Sequence, residues 1–530
     1  MNFKDFIITD RENRNSEKFE GTFLDYLEIV KQNPDVAKLS HKRLYDFIMS
    51  KGVEVLKADE NPRIRKIYGN ETIREYGYFK DDFFGIDKVI MKIVNYLHSA
   101  SMKGEESRQV LYLVGPVGAG KSSLVESLKS ALVHCEPIYS IKGCPMHEEP
   151  LHLVPNHLRD EFNKMLGAQI EGDLCPVCKY RLLHEFNGEY ENFPVERKGF
   201  SIRSRKGIGV VPPVDPNNQD TSILTGSIDI SKMDMYPEDD PRIFSLNGAF
   251  NVGNRGLVEF IEVFKNDVEY LHTLITATQE KSIPSPGKGS MIYFDGIIIA
   301  HSNEAEWNKF KSDHTNEAIL DRIVKVEVPY CLELEEEIKI YEKILKKSNF
   351  RAHIAPHTIE VAAMFAILSR LTPSAKVDPM TKLKIYNGED LVEKGTTKKI
   401  DIIELREEAG PYEGMKGIST RFIIKAIDNA LSNSEFDCIN PLSIMESIIK
   451  SVKDLDISPD DKKKYLGFIQ DTIRKEYNKI LEKEITKAFI HSFKEQAESL
   501  FNNYIDNAEA FVNKTRIKDD QTGEELNPDE

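Results

Sequence analysis

The sequence predicts an α/β protein built on a parallel sheet, with helical segments before and after it. Val110-Leu111-Tyr112-Leu113-Val114 is a short apolar run closed by Gly115, with the length and composition of a strand buried on both faces. A glycine-rich turn follows, then a helix from Ser122 carrying Leu124, Leu128, Leu132 and Val133 on its inner side. Strand, turn and helix in that order form an α/β unit. Two more core strands are expected from Gly256 to Val263 and from Met291 to Ala300, and the chain after Tyr330 reads as largely helical.

Composition sets the class. The chain has 530 residues, 40% of them hydrophobic, and a formal net charge of −16. That apolar content excludes a disordered chain, and the length corresponds to about three or four domains at roughly 150 residues each. The acidic balance argues against nonspecific binding to nucleic acid, which needs a basic surface to release counterions. Thr9-Asp10-Arg11-Glu12 interrupts any signal-peptide apolar region, and no stretch reaches the ~18 apolar residues of a membrane span. The expectation is a cytoplasmic protein with no membrane partner. Six cysteines are too few for a disulfide scaffold in this length, so grouped ones read as metal or redox chemistry.

The first ~75 residues read as helical, with Phe23, Leu24, Tyr26, Leu27 and Val30 on one face and Leu44, Phe47 and Ile48 on another. Phe84-Gly85-Ile86-Asp87 leads a helix carrying Val89, Ile90, Ile93, Val94 and Leu97. Residues from about 140 to 220 break the α/β alternation. They are rich in Cys, His, Pro and Gly, contain the basic stretch Arg197 to Lys206, read as a solvated loop, and form an insertion. Near the end, Ile485, Ala488, Phe489, Phe493, Ala497, Leu500, Phe501, Tyr504, Ile505 and Ala508 predict one long amphipathic helix.

Gly115-Pro116-Val117-Gly118-Ala119-Gly120-Lys121-Ser122 fits G-x-x-x-x-G-K-[ST] in the required strand-to-helix setting. Gly115, Gly118 and Gly120 let the backbone curl so that successive N–H groups point at a phosphate. Lys121 reaches the β and γ phosphates of ATP, Ser122 ligates Mg²⁺, and Ser123 completes the nucleotide-binding set.

Cys144-Pro145-Met146-His147 and Cys175-Pro176-Val177-Cys178 form C-x-x-H and C-x-x-C pairs. Each tight pair can wrap one edge of a tetrahedron, which predicts a structural Zn²⁺ held by Cys144, His147, Cys175 and Cys178. Cys135, Cys331 and Cys438 are isolated and read as small buried hydrophobes.

From the phosphate loop onward the order of segments resembles the AAA+ ATPases, and closely the bacterial PrkA proteins, a family of serine protein kinases. The resemblance runs through Thr22-Phe23-Leu24-Asp25-Tyr26-Leu27, Phe83-Phe84-Gly85-Ile86-Asp87-Lys88 and Val211-Pro212-Pro213-Val214-Asp215-Pro216-Asn217-Asn218-Gln219-Asp220. It continues through Leu224-Thr225-Gly226-Ser227-Ile228-Asp229, Asn507-Ala508-Glu509-Ala510-Phe511 and Thr522-Gly523-Glu524-Glu525. Family members usually run on past that point, so the chain reads as a truncated or a short member. The resemblance implies a helical segment over 1–75, an ATPase core over 76–330 with the zinc-bearing insertion, a helical lid over 331–432 and a helical region over 433–530. It also implies roles. Glu262 takes the water-polarising position, and Ile261 stands where the metal-associated Asp is expected. Glu259, on the same strand face, is the compensating acid. Asn303 senses the γ-phosphate, Arg322 is an arginine finger acting on a neighbouring subunit, and Arg421 is a second sensor on the lid. A finger in trans implies a homo-oligomeric ring.

The H-R-D, D-F-G and G-x-G-x-x-G motifs of eukaryotic-type kinases are absent, and Phe294-Asp295-Gly296 lies in a strand setting. The visible machinery is that of an ATPase. Serine/threonine kinase activity on a protein substrate, in a stress or sporulation setting, follows from the resemblance alone. The competing reading is an AAA+ ring that remodels proteins or feeds them to proteolysis, with segments Leu224 to Phe250 and Ser282 to Gly289 as pore loops. The Ile261 departure adds a third, a nucleotide-gated binding module with little turnover.

Overall fold

The computed structural model describes residues 3–7, 11, 18–57, 62–69, 71–213, 220–266, 268–287, 290–348, 352–389, 402–432, 438–492, 494–518 and 525–527. Positions 214–219, 288–289, 493 and 522–524, which enter the motifs above, lie outside the described residues. The chain forms two compact units, Met1–Phe350 with Ser369–Ile424, and Arg351–Leu368 with Lys425–Glu530.

In the first unit the elements that matter are α1 (Phe23–Gln32), α2 (Ser40–Ser50), α3 (Asp87–Ser101), β1 (Val110–Val114), α4 (Lys121–Val133), β2 (Ile138–Ile141), α5 (Pro176–His184), β3 (Pro194–Lys198), β4 (Ile208–Val211), β5 (Leu257–Ile261), β6 (Ile297–Ser302), α6 (Glu304–Lys311), β7 (Ile323–Glu327) and α7 (Leu334–Lys347). Among the described residues five strands form a parallel sheet in the order β7-β1-β6-β5-β4. Val114 pairs with Ser302 on one side and Glu327 on the other, so three strands end together beside the phosphate loop. That is the crevice at the strand carboxyl ends where open α/β sheets bind ligands.

Both faces of the sheet are covered, which is why β1 is continuously apolar. Val110, Tyr112 and Val114 join a core with Phe250, Phe260 and the insertion, while Leu111 and Leu113 pack against Leu124, Val125, Leu128 and Leu132 of α4. The strand Glu20–Thr22, β3 and β2 form a small antiparallel sheet, and Phe23, Tyr26 and Val30 of α1 share a core with Phe193 and Val195. A capping box between Thr22 and Asp25 starts α1 at the edge of that sheet.

Two expectations change. The run from Met291 to Ala300 is not one strand: Met291–Tyr293 forms a hairpin with Ser282–Pro284, and only Ile297–Ser302 enters the main sheet. The break is Asp295, whose buried carboxylate accepts the Ser40 N–H at 3.1 Å and the Ser40 hydroxyl at 2.8 Å. A buried charge needs those partners, and an uninterrupted strand would not deliver them. The stretch read as an insertion to about 220 includes β4, an edge strand of the main sheet.

In the second unit, Val361 to Leu368 within helix Thr358–Arg370 is buried, and Asn440 and Ser443 form a capping box on helix Pro441–Lys453. In the C-terminal region Arg474–Ser492 and Lys494–Asn513 are helical on either side of position 493, and Ile485, Phe489, Leu500, Phe501 and Tyr504 of the predicted apolar stripe are exposed. Among the described residues no helix is long and apolar enough to cross a membrane.

Candidate functional site

A cavity of about 690 Å³ lies in the first unit, lined by Gly118 to Ser123, by Phe84, Tyr330 and Ile344, and by Arg421. Gly118 and Gly120 have φ of +84° and +92°, a left-handed backbone that glycine adopts without strain, and Gly120 caps α4. A Cβ on Gly115 would stand 2.1 Å from the Val328 carbonyl oxygen, so this position has no room for a side chain. The N-terminus of α4 therefore opens toward the cavity, with its unpaired N–H groups and positive dipole end. Lys121 donates to the carbonyls of Gly115 at 2.6 Å and Pro116 at 2.8 Å, and Tyr330 donates to Val117 at 2.6 Å. Burial draws the Lys121 ammonium down to about 8, Arg421 pushes the same way, and the carboxylates of Glu262 and Glu306 pull against both.

Glu262 sits just past the end of β5 with φ of +48°, a turn that swings its side chain out of the strand, where it pairs with Lys265. Glu259 is placed elsewhere, against expectation. It is buried, its Oε1 accepts from His301 Nε2 at 3.1 Å, and its Oε2 pairs with Lys129. It shares a face with Ile261, but two residues back along a strand is roughly 6.6 Å, far enough to place it beneath α4. Burial opposes its charge, yet His301 and Lys129 hold its carboxyl below the ordinary range.

Asn303 caps α6, its side chain accepting the Glu306 N–H at 2.9 Å. Glu306 is the acid that sequence reading missed. An Asn followed three residues later by Glu is a capping signal, and it would have placed Glu306 in the first turn of a helix starting at the sheet's ligand-binding edge. Burial, with Glu262 beside it, raises the Glu306 carboxyl above its ordinary range.

Arg421 lines the cavity. Arg322 does not; it donates to the Ala318 carbonyl at 2.6 Å and to Gln279 Oε1 at 2.7 Å, in a surface hollow shared with Glu105 and Arg108.

The cysteine pairs do converge, with one exchange. Donor atoms of Cys144, Glu148, Cys175 and Cys178, all buried, lie within 4.8 Å of one another. His147 is outside this group. Its backbone is left-handed, at φ of +50°, and its buried Nδ1 has no hydrogen-bond partner among the described residues. That turn directs the next residue, Glu148, to the sulfurs instead. Glu148 Oε1 accepts the Cys175 N–H at 2.7 Å and lies 3.3 Å from His152 Nδ1, while Oε2 lies 3.7 Å from Cys144 Sγ. Cys144 and Cys175 Sγ are 4.0 Å apart, with no disulfide between them. Burial opposes ionisation of Cys144, but sulfur contacts from Cys175 and Cys178 outweigh it and hold that thiol well below its ordinary value. Three thiols and a carboxylate at this spacing suit a tetrahedral metal ion.

Parallel sheet, phosphate loop and the acid beyond β5 together define a P-loop ATPase of the AAA+ class. The PrkA AAA domain family matches residues 21–378, and the PrkA serine protein kinase C-terminal domain family matches residues 380–530. The chain belongs to the PrkA family. It is 40% identical to the ATP-dependent protease PrkA of Bacillus subtilis (strain 168), over 98% of this chain and 81% of that protein. It is 34% identical to the serine/threonine kinase YeaG of Escherichia coli (strain K12), over 99% and 82%. Among solved structures, a RuvB mutant of Thermotoga maritima aligns over 74% of this chain and 78% of that one, at 10% identity and a TM-score of 0.31.

Proposed function

We propose that this protein binds ATP with Mg²⁺ in the cavity beside α4, hydrolyses it, and uses the same site for serine/threonine phosphorylation of a protein substrate. The observation that supports this most is the convergence on one cavity of the phosphate loop, Lys121 with two carboxylates in its field, and Arg421. N–H groups from Gly118 to Ser122 cradle the phosphates, and Lys121 exchanges the Gly115 and Pro116 carbonyls for phosphate oxygens. Ser122, exposed in the first turn of α4, would hold Mg²⁺, which when bound takes up charge on the β and γ oxygens. Glu262 orients the attacking group, Asn303 reads the γ-phosphate, and Arg421 holds the nucleotide from the lid. Arg322, on a separate surface, serves the site of a neighbouring subunit in a homo-oligomeric ring.

The test follows γ-labelled ATP with Mg²⁺ and an unfolded acceptor protein. Label is expected on Ser or Thr, and Lys121→Ala is expected to lower turnover at least about 100-fold; undiminished turnover in that variant would sink the assignment. Free phosphate with no labelled protein would favour the second reading, a ring that remodels proteins or delivers them to proteolysis. The hairpin of Ser227–Ile228 with Phe244–Ser245 supports that reading, because Ile230 and Met235, between its strands, are 79% and 74% exposed, an apolar tip suited to gripping a chain.

For the trans role, Arg322→Ala is expected to cut turnover about 10³-fold with the assembly intact by light scattering. Mixing it with Lys121→Ala subunits is expected to restore part of the activity, since each supplies what the other lacks. No recovery in an assembled mixture would place Arg322 outside the site.

We propose further that Cys144, Cys175, Cys178 and Glu148 hold a structural Zn²⁺, with His152 and the Cys175 N–H orienting Glu148 from outside. Four donors leave no open position, so its role is to fasten the loop after β2 to the start of α5. The protein works in the cytoplasm in this reading.

A further inference from the structure

We infer that Glu306 is the second carboxylate of the nucleotide site, filling on the metal side the place where Ile261 offers only an alkyl chain. The inference rests on the ATP-hydrolysis reading above. Phosphoryl transfer on a phosphate loop uses one acidic group for the metal shell and one group to orient the nucleophile. Glu262 serves one of these needs. Ile261 has no side-chain oxygen, and Glu259 is bound to Lys129 and His301 beneath α4.

Glu306 stands in the first turn of α6, its backbone N–H held by Asn303. Its Oε1 lies 3.8 Å from Lys265 Nζ, the same ammonium that pairs with Glu262, so the two carboxylates flank one cation just past the carboxyl ends of β5 and β6, and β1, beside β6, leads into the phosphate loop. Its Oε2 is buried and has no hydrogen-bond partner among the described residues. An ordinary surface ion pair leaves its second oxygen in water. A buried carboxylate oxygen without a partner costs free energy, and a cation brought by the nucleotide removes that cost.

The position is held rigidly. Trp307, the next residue of α6, stacks on Tyr112 of β1 with ring centroids 4.9 Å apart, and Phe264, next to Lys265, stacks on Phe310 at 4.0 Å. These rings lock the Glu262 turn and the Glu306 turn to the strand that carries the phosphate loop. A ligand carboxylate needs that kind of support to keep its geometry.

The test titrates Mn²⁺ into the full chain with ADP, reading unbound Mn²⁺ by electron paramagnetic resonance, and separately measures ADP affinity in EDTA. Glu306→Gln is expected to raise the Mn²⁺ half-saturation about tenfold or more, and Glu306→Asp by less, with ADP affinity in EDTA unchanged in both. Gln keeps the backbone bond to Asn303, so the α6 cap survives. Wild-type Mn²⁺ half-saturation in both variants overturns the inference, and so does a loss of ADP affinity in EDTA equal to the loss with metal. Lys121→Ala separates the two levels. If it still binds ADP, the nucleotide site itself is wrong; if it loses ADP while Glu306→Gln titrates like wild type, only the role of Glu306 falls.

Discussion

Replacing Glu262 by Gln is expected to leave ATP bound and to lower its hydrolysis by about 10² to 10³. The carboxylate acts only when the nucleophile is aligned and beginning to lose its proton, so its contribution appears in the transition state and not in ground-state binding. Structure supports the separation. The loop after β1 and Arg421 line the cavity, whereas Glu262 hangs from the left-handed turn after β5 and pairs with Lys265. Gln keeps size and hydrogen bonding while removing charge. Filter binding of labelled ATP and phosphate release should therefore diverge in this variant: affinity within about threefold of wild type, release down at least a hundredfold. The same substitution at Glu259 should instead destabilise the fold by about 1 to 3 kcal/mol, because it leaves the buried Lys129 with Glu126 as its remaining carboxylate. Equal hydrolysis by Glu262→Gln and wild type would remove Glu262 from the mechanism.

Cys175→Ser, or removal of the ion by a chelator, is expected to lower Tm by about 10 °C or more, with one zinc per chain in the wild type and none in the variant by elemental analysis. The size of the effect follows from what the cluster replaces. Three buried sulfurs and the buried Glu148 carboxylate converge within 4.8 Å of one another, and without a cation their charges and lone pairs face one another. Cys175 also caps α5, its sulfur accepting the Cys178 N–H at 3.4 Å, and because Ser can keep that cap the change in Cys175→Ser reads the metal site itself. His147→Ala is the control. Its ring lies outside the cluster, so zinc content should stay at one per chain, whereas Glu148→Ala should lower it. The reverse pattern would restore His147 as the ligand.

The phosphate loop was legible because its chemistry is local. Glycines at 115, 118 and 120, Lys121 and Ser122 sit within eight residues, and the strand before them and helix after them obey simple periodicity. The family was legible for a related reason: long segments in a set order carry it regardless of how they pack. What failed to show depended on distance. Tyr112, Phe264 and Trp307 are far apart in the chain, and nothing in their spacing says that their rings pack together and bring the turns of Glu262 and Glu306 together. The alternation of β5 correctly puts Glu259 on the face of Ile261, but only the helix packed above it supplies Lys129 and turns a candidate acid into a buried ion pair.

The cysteine cluster divides along the same line. Spacing of Cys144, Cys175 and Cys178 announced a metal-binding pattern, since tight pairs need no knowledge of the rest of the fold. Whether residue 147 or 148 faces the sulfurs is set by one left-handed backbone angle, and that angle is fixed by how the loop after β2 closes against the rest of the insertion. By itself the sequence determined the class of protein, the nucleotide loop and the three sulfurs, because these are written in neighbouring residues. Tertiary structure alone decided which carboxylates meet beyond β5 and β6 and which residue joins the three sulfurs, because side chains meet there only after strands and helices distant in the chain have packed.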